Sequence, residues 1–254
     1  MQTEATALRT DVLGVAFDDL TLPGAAGYGA QLLACEGFHY AVTPNPEIVM
    51  TAQKDAEYAA ILNGADLVLP DGIGVIKAAS LLGTPLKERV PGIDFACALL
   101  ERESGRGLRL YLLGAKPGIA EQAGDALTEK YPGLVICGTH DGYFQESESD
   151  AIAAEIRRSG AELVFVCLGA PKQEKWIAAH GEATGARLLI GLGGVLDVFA
   201  GVTERAPEKW QKLGLEWFYR LCKEPKRIGR MAKLPLFLVQ AARVRLTGGK
   251  KEKA

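Results

Sequence analysis

The sequence predicts a doubly wound α/β fold: a mostly parallel sheet with helices on both faces, followed by a basic, amphipathic helical appendage. Three observations predict it. Short apolar, β-rich runs alternate with Ala-rich segments of helical length, the rhythm of βαβ units. Several of the runs are apolar on both faces, as strands buried between two helix layers are. Charge is segregated: residues 1–204 hold 15 basic against 27 acidic side chains, whereas residues 205–254 hold 14 against 4, within a net charge of only −2.

Strands are expected at V-L-G-V-A-F (12–17), H-Y-A-V-T (39–43), D-L-V-L-P (66–70), L-R-L-Y-L-L-G (108–114), L-V-I-C-G (134–138), L-V-F-V-C-L-G (163–169) and R-L-L-I-G-L (187–192). Helical segments include 46–63, 118–130, 148–159 and 172–184. With 48% hydrophobic residues, the 254-residue chain can build a large core over 1–204 and an appendage over 205–254. No repeat or low-complexity linker interrupts it. The start, M-Q-T-E-A-T-A-L-R-T, has no apolar leader core, and L-P-L-F-L-V-Q-A-A (234–242) is too short to span a bilayer. The five cysteines (35, 97, 137, 167 and 222) are odd in number, scattered and free of C-x-x-C pairs, which suggests reduced thiols in a cytosolic protein.

In an open α/β sheet, ligands bind beyond the carboxyl ends of the strands. Polar punctuation gathers there: T-P-N (43–45), P-D-G-I-G (70–74), G-A-K-P-G (114–118), H-D-G-Y-F (140–144), G-A-P-K-Q-E (169–174) and G-G-V-L-D (193–197). The two Gly-rich turns after strands invite a dinucleotide reading, but neither completes G-x-G-x-x-G, so an NAD-type cofactor is disfavoured. A sugar nucleotide can use the same helix N-termini for its diphosphate. No D-x-D occurs, so a metal clamped on a diphosphate is not indicated, and cations such as Arg89 are the alternative stabilisers.

Each signal also has a bland reading. Asp71 suits a helix cap in an Asp-Gly turn, and Arg89 a surface ion pair. Asp18 and Asp19 suit solvated or capping roles. Gln173 and Glu174 open a helix after Pro171, where an acid is favourable anyway. Tyr143 either stacks on a base or fills the core. His140 beside Asp141 resembles a base with its orienter, but lacks a nucleophile motif. Cys137 and Cys167 sit inside apolar strands as packing residues. In the tail, Trp210, Leu213, Trp217, Leu221 and Ile228 recur at near-helical spacing among many Lys and Arg, which favours a membrane surface over nucleic acid.

Six blocks in order then resemble the WecG/TagA/CpsF family of bacterial glycosyltransferases. They are T-P-N-P-E-I-V (43–49), L-P-D-G-I-G-V (69–75), E-R-V-P-G-I-D (88–94), G-A-P-K-Q-E-K-W (169–176), G-G-V-L-D-V-F-A-G (193–201) with R-A-P (205–207), and L-E-W-F-Y-R-L-C-K-E-P-K-R (215–227). The resemblance implies a Rossmann-like, metal-independent, inverting enzyme without cofactor at the cytoplasmic membrane face. It implies transfer of N-acetylmannosamine from UDP to the 4-hydroxyl of undecaprenyl-diphosphate-linked GlcNAc, as in the wall teichoic acid linkage unit. Its uronate and glucose stay open as donor sugars, and a homo-oligomer stays open too.

By position, the resemblance makes Asp71 the general base, with Thr43 and Asn45 lining the sugar pocket. Arg89, Gln173, Gly169 and Lys172 fall near the diphosphate and sugar, and Tyr143 and Asp197 near the uridine. Arg220, Arg227 and Arg230 match appendage arginines that close over the site. Pro91 departs from the pattern, standing where a small or hydroxylated residue is expected. An NAD-dependent oxidoreductase and a non-catalytic nucleotide-sugar sensor are the rival functions.

Overall fold

The computed structural model describes residues 9–207, 209–210, 216, 218–219 and 233–247. Its centre is a six-stranded sheet of β3 (His39–Val42), β4 (Leu67–Val68), β5 (Arg109–Gly114), β6 (Val135–His140), β7 (Leu163–Cys167) and β8 (Leu188–Gly191). The spatial order is β4-β3-β8-β7-β5-β6, and every neighbouring pair is parallel. All six carboxyl ends therefore lie on one edge, as the alternating pattern predicts. After β5 the chain crosses outward to β6, and after β7 it crosses the other way to β8, so the loops diverge between β5 and β7.

Alternate side chains of the strands feed opposite layers. Leu110, Leu112, Leu163, Phe165, Leu188 and Ile190 pack with α1 (Leu22–Ala34), α5 (Gly92–Glu103), α6 (Ile119–Lys130) and α9 (Val195–Phe199). Tyr111, Leu113, Val164, Val166 and Leu189 pack with α7 (Ser149–Ser159) and α8 (Lys172–His180). Strands buried on both faces have no polar side to show, which is why their sequences read as unbroken apolar runs.

Two expectations need correction. The run 12–17 is not a sheet strand but the turn and second arm of an antiparallel hairpin, β1 (Arg9–Val12) and β2 (Val15–Asp18). Its two-residue turn puts Leu13 at φ 57° and Gly14 at φ 94°, and apolar periodicity does not reveal that reversal. The hairpin abuts β4: Asp18 is 3% exposed and accepts from Val68 N at 2.7 Å and Arg9 Nε at 3.1 Å. Asp18 is thus structural rather than solvated, and burial raises its carboxyl above the usual range despite those bonds. The segment 46–63 is two helices, α2 (Pro46–Ala52) and α3 (Ala56–Asn63), because Asp55 caps the second through Tyr58 N.

Helices α4 (Ile73–Leu82) and α10 (Lys233–Leu246) lie against one another. Phe237 and Ala241 of α10 are fully buried in the core shared with α2, α3 and α4. A Cβ on Gly74 would collide with Leu234 and Pro46, so the second glycine of D-G-I-G is required for helix docking. Lys233 pairs with Glu47 at 3.0 Å, and Arg245 donates to the Leu82 carbonyl at 3.1 Å. Part of the basic appendage is thereby fastened beside the Asp71 turn.

Candidate active site

The strand-end loops are joined to one another along the rim. Asp71 N donates to Pro44 O at 3.2 Å, and Val90 N donates to Pro70 O at 3.0 Å. The β4 turn thus lies between the Thr43–Asn45 turn and the Arg89 loop. Thr43, 7% exposed, donates its hydroxyl to Gly191 O at 3.1 Å, tying β3 to β8. Gln173 ties β8 to β7: its Oε1 accepts from Gly193 N at 2.8 Å and Gly169 N at 3.2 Å. Lys172 reaches the β6 loop, donating to Gly142 O at 3.1 Å and lying 4.2 Å over the Phe144 ring. Fixed dipoles and cations on such a rim cost little reorganisation when charge develops there.

Asn45 is the N-cap of α2, its Oδ1 accepting from Glu47 N at 2.9 Å and Ile48 N at 3.1 Å, which leaves the amide NH₂ as the group it has to offer a ligand. Asp71 is half-buried one residue before the N-cap of α4, and that N-cap is Gly72 at φ 111°, which has no capping side chain. Asp71 therefore does not hold the capping position that its Asp-Gly turn suggested.

Arg89 forms an ion pair with Glu216 of the appendage at 3.2 Å, with the side chains 19% and 11% exposed. Nearby, Arg205 grips Asp94 through two bonds of 2.5 and 2.7 Å, the bidentate geometry a guanidinium favours. The partner of Arg89 is thus a distant acid, 127 residues on, rather than a surface neighbour. Neither Glu216 nor the Arg205–Asp94 pair was singled out from the sequence; long-range partners leave no local pattern.

Gln173 differs from expectation in orientation. It is 3% exposed and its bonds are internal, the Nε2 donating to Glu174 Oε1 at 2.7 Å. Glu174 is 1% exposed and its Oε2 accepts from the Tyr58 hydroxyl at 3.0 Å. Burial raises the Glu174 carboxyl, and burial with the adjacent Glu174 raises the Tyr58 phenol. The one available clue was an acid directly after a rim glutamine, a position that a first-turn helix acid explains equally well.

At the other end of the rim, Tyr143 is 71% exposed, so it does not fill the core; its N–H closes an Asx turn on Asp141 at 2.7 Å. His140 is not a base with a carboxylate orienter, since its Nδ1 lies 2.8 Å from the Asp141 carbonyl and its ring meets Phe144 edge-on. Asp197 lies in the first turn of α9 beside Gly194. Cys167 is buried under that turn, and burial pushes its thiol up to about 12, with Asp197 adding to the rise. Cys137 is half-buried, 3.6 Å from Ser159 Oγ. Arg220, Arg227 and Arg230 lie outside the described residues. Among the described residues, no three His, Cys, Asp or Glu side chains are grouped to hold a metal ion, and no helix is long and apolar enough to cross a membrane.

A parallel α/β sheet with a stitched polar rim, and an aspartate and an arginine on adjoining turns, is the Rossmann-like arrangement in which ligands bind beyond the carboxyl ends of the strands. The chain matches the model of the Glycosyl transferase WecG/TagA/CpsF family over residues 10–251. It belongs to that family and is a glycosyltransferase. It is 34% identical over 247 residues to the N-acetylglucosaminyldiphosphoundecaprenol N-acetyl-beta-D-mannosaminyltransferases of Staphylococcus aureus strains MW2 and MRSA252, covering 96% of each chain.

Proposed function

We propose that the protein transfers N-acetylmannosamine from UDP to the 4-hydroxyl of GlcNAc on undecaprenyl diphosphate. The observation that carries this reading is the junction at Asp71, whose turn is bonded to the Thr43–Asn45 turn on one side and to the Arg89 loop on the other. On this reading Asp71, the Thr43–Asn45 turn and Arg89 supply a base, polar sugar contacts and a cation for the diphosphate from neighbouring loops. The relatives' name supplies the sugars, and its beta linkage agrees with inversion of an α-linked UDP-sugar.

The acceptor O4 attacks the anomeric carbon as the bond to the UDP oxygen breaks. Asp71 takes the hydroxyl proton, a contribution of about 10²–10⁴-fold for a positioned base. Arg89 stabilises the departing diphosphate, in competition with Glu216 for its guanidinium. Thr43 and Asn45 orient the sugar, Gln173 and Gly169 shape the turn beneath it, and Lys172, Tyr143 and Asp197 serve the uridine diphosphate end. By the family resemblance Arg220, Arg227 and Arg230 are assigned to closing over the site, and neither metal nor cofactor is invoked.

The acceptor lipid places the work at a membrane surface. On α10 the outward face carries Leu236, Val239, Val244 and Leu246, respectively 60%, 49%, 38% and 85% exposed, beside the exposed Arg243. Apolar wedge plus basic charge is the pairing that stable peripheral binding requires. This supports a peripheral position on the inner membrane face; a second copy of the chain is the other partner such a face would suit.

The test is UDP release from a panel of UDP-sugars with a short-chain GlcNAc-diphospho-lipid acceptor. Release only with UDP-N-acetylmannosamine and acceptor together is expected. Release with the uronate or glucose alone would overturn the donor assignment, and no acceptor-dependent release with any donor would favour a sensor.

A further inference from the structure

Behind Gln173 lies a buried pair that the transfer chemistry does not use. Tyr58 on α3 is fully buried and Glu174 nearly so; Tyr58 donates to Glu174, which in turn accepts from the rim glutamine. The Gln173 carbonyl oxygen faces two N–H donors, Gly169 N and Gly193 N. An amide flipped end for end would turn its NH₂ towards those donors and lose both bonds. What enforces the correct orientation on the other side is a group that accepts, and the Glu174 Oε1 at 2.7 Å is that acceptor. The Tyr58 hydroxyl holds the second carboxyl oxygen and so fixes the rotamer of Glu174.

We propose that Glu174 and Tyr58 are positioning residues for the transfer reaction, acting through the Gln173 amide to hold the Gly169 and Gly193 turns in register. The proposal rests on the glycosyl-transfer reading above. The β7 and β8 turns are then set by one side-chain amide locked from behind, and any loosening displaces the groups at the centre of the rim. Catalytic geometry is sensitive to such displacement at the ångström scale.

Three variants test it. Tyr58→Phe removes one hydroxyl, Glu174→Met removes the acceptor, and Glu174→Gln keeps an oxygen for Gln173 with an NH₂ for Tyr58. The readouts are kcat and KM with UDP-N-acetylmannosamine well below each melting temperature, and hydrogen exchange in peptides containing Gly169 and Gly193. Tyr58→Phe is expected to lower kcat about tenfold and Glu174→Met about a hundredfold, with KM for the donor changed by less than about threefold. Both should speed exchange at the two turns, and Glu174→Gln should stay within about threefold of wild type in kcat.

Wild-type kcat and exchange in Tyr58→Phe, with only a lower melting temperature, would overturn the proposal. So would a Glu174→Gln variant as impaired as Glu174→Met. Should Glu174→Met fail to fold, Tyr58→Phe decides. If the wild type releases no UDP, the functional reading fails, and exchange at Gly169 and Gly193 still decides whether the pair holds the turns.

Discussion

Single residues at this rim do more structural bonding than their types suggest. Gln173 was legible as a rim residue because it follows a strand through a Gly-Ala-Pro turn, but its inward orientation depends on Gly193 and Glu174 and was not. Tyr58 was illegible for the same reason: on α3 it resembles any buried aromatic. Asp71 stood out only among the other motif blocks, since its local pattern favoured a cap, a position that Gly72 takes instead. Burial raises the Glu174 carboxyl above its ordinary 4.5. The folded state therefore binds this proton more tightly, and wild-type stability falls as pH rises above the ordinary value until the raised one is passed. Glu174→Gln removes that slope, so its melting temperature relative to wild type should climb as pH rises above about 4.5. A difference independent of pH would mean that Glu174 does not titrate in this way. Asp18, raised likewise, is common to both proteins and cancels.

At the scale of elements, the parallel strands were legible because burial on both faces leaves them apolar throughout. The hairpin and the α2–α3 break were not, because each turns on a local device, the Leu13-Gly14 turn and the Asp55 cap, within an otherwise continuous pattern. Docking of α10 likewise depends on Gly74, where a Cβ would meet Leu234 and Pro46, a contact that no local pattern announces. Phe237 is fully buried in that contact, so Phe237→Ala should cost about 3–5 kcal/mol in the docking of α10. Limited proteolysis should then cut the C-terminal segment while leaving the body intact; unchanged resistance would show that α10 is held by other contacts. The Arg89–Glu216 pair couples the appendage to the proposed diphosphate site. Glu216→Gln should tighten UDP binding a few-fold, on the order of 1 kcal/mol, as a partly exposed pair is relieved. Weaker UDP binding measured by calorimetry would instead make Glu216 a necessary orienter of Arg89.

Over the whole molecule, charge segregation and the α10 face point the same way, with an acidic body carrying a basic, partly apolar appendage. Replacing Leu236 and Val239 by Asp should abolish sedimentation with anionic vesicles and leave UDP binding unchanged. Retained vesicle binding, or loss of a dimer in its place, would assign that face to another partner. The central claim is that a carboxylate on the β4 turn takes the acceptor proton during sugar transfer. It is tested most directly by acceptor-dependent UDP release from UDP-N-acetylmannosamine, comparing wild type with Asp71→Asn. The expected result is a fall in kcat of about 10²–10⁴-fold with UDP affinity nearly unchanged, whereas turnover near the wild-type rate would remove Asp71 from the chemistry.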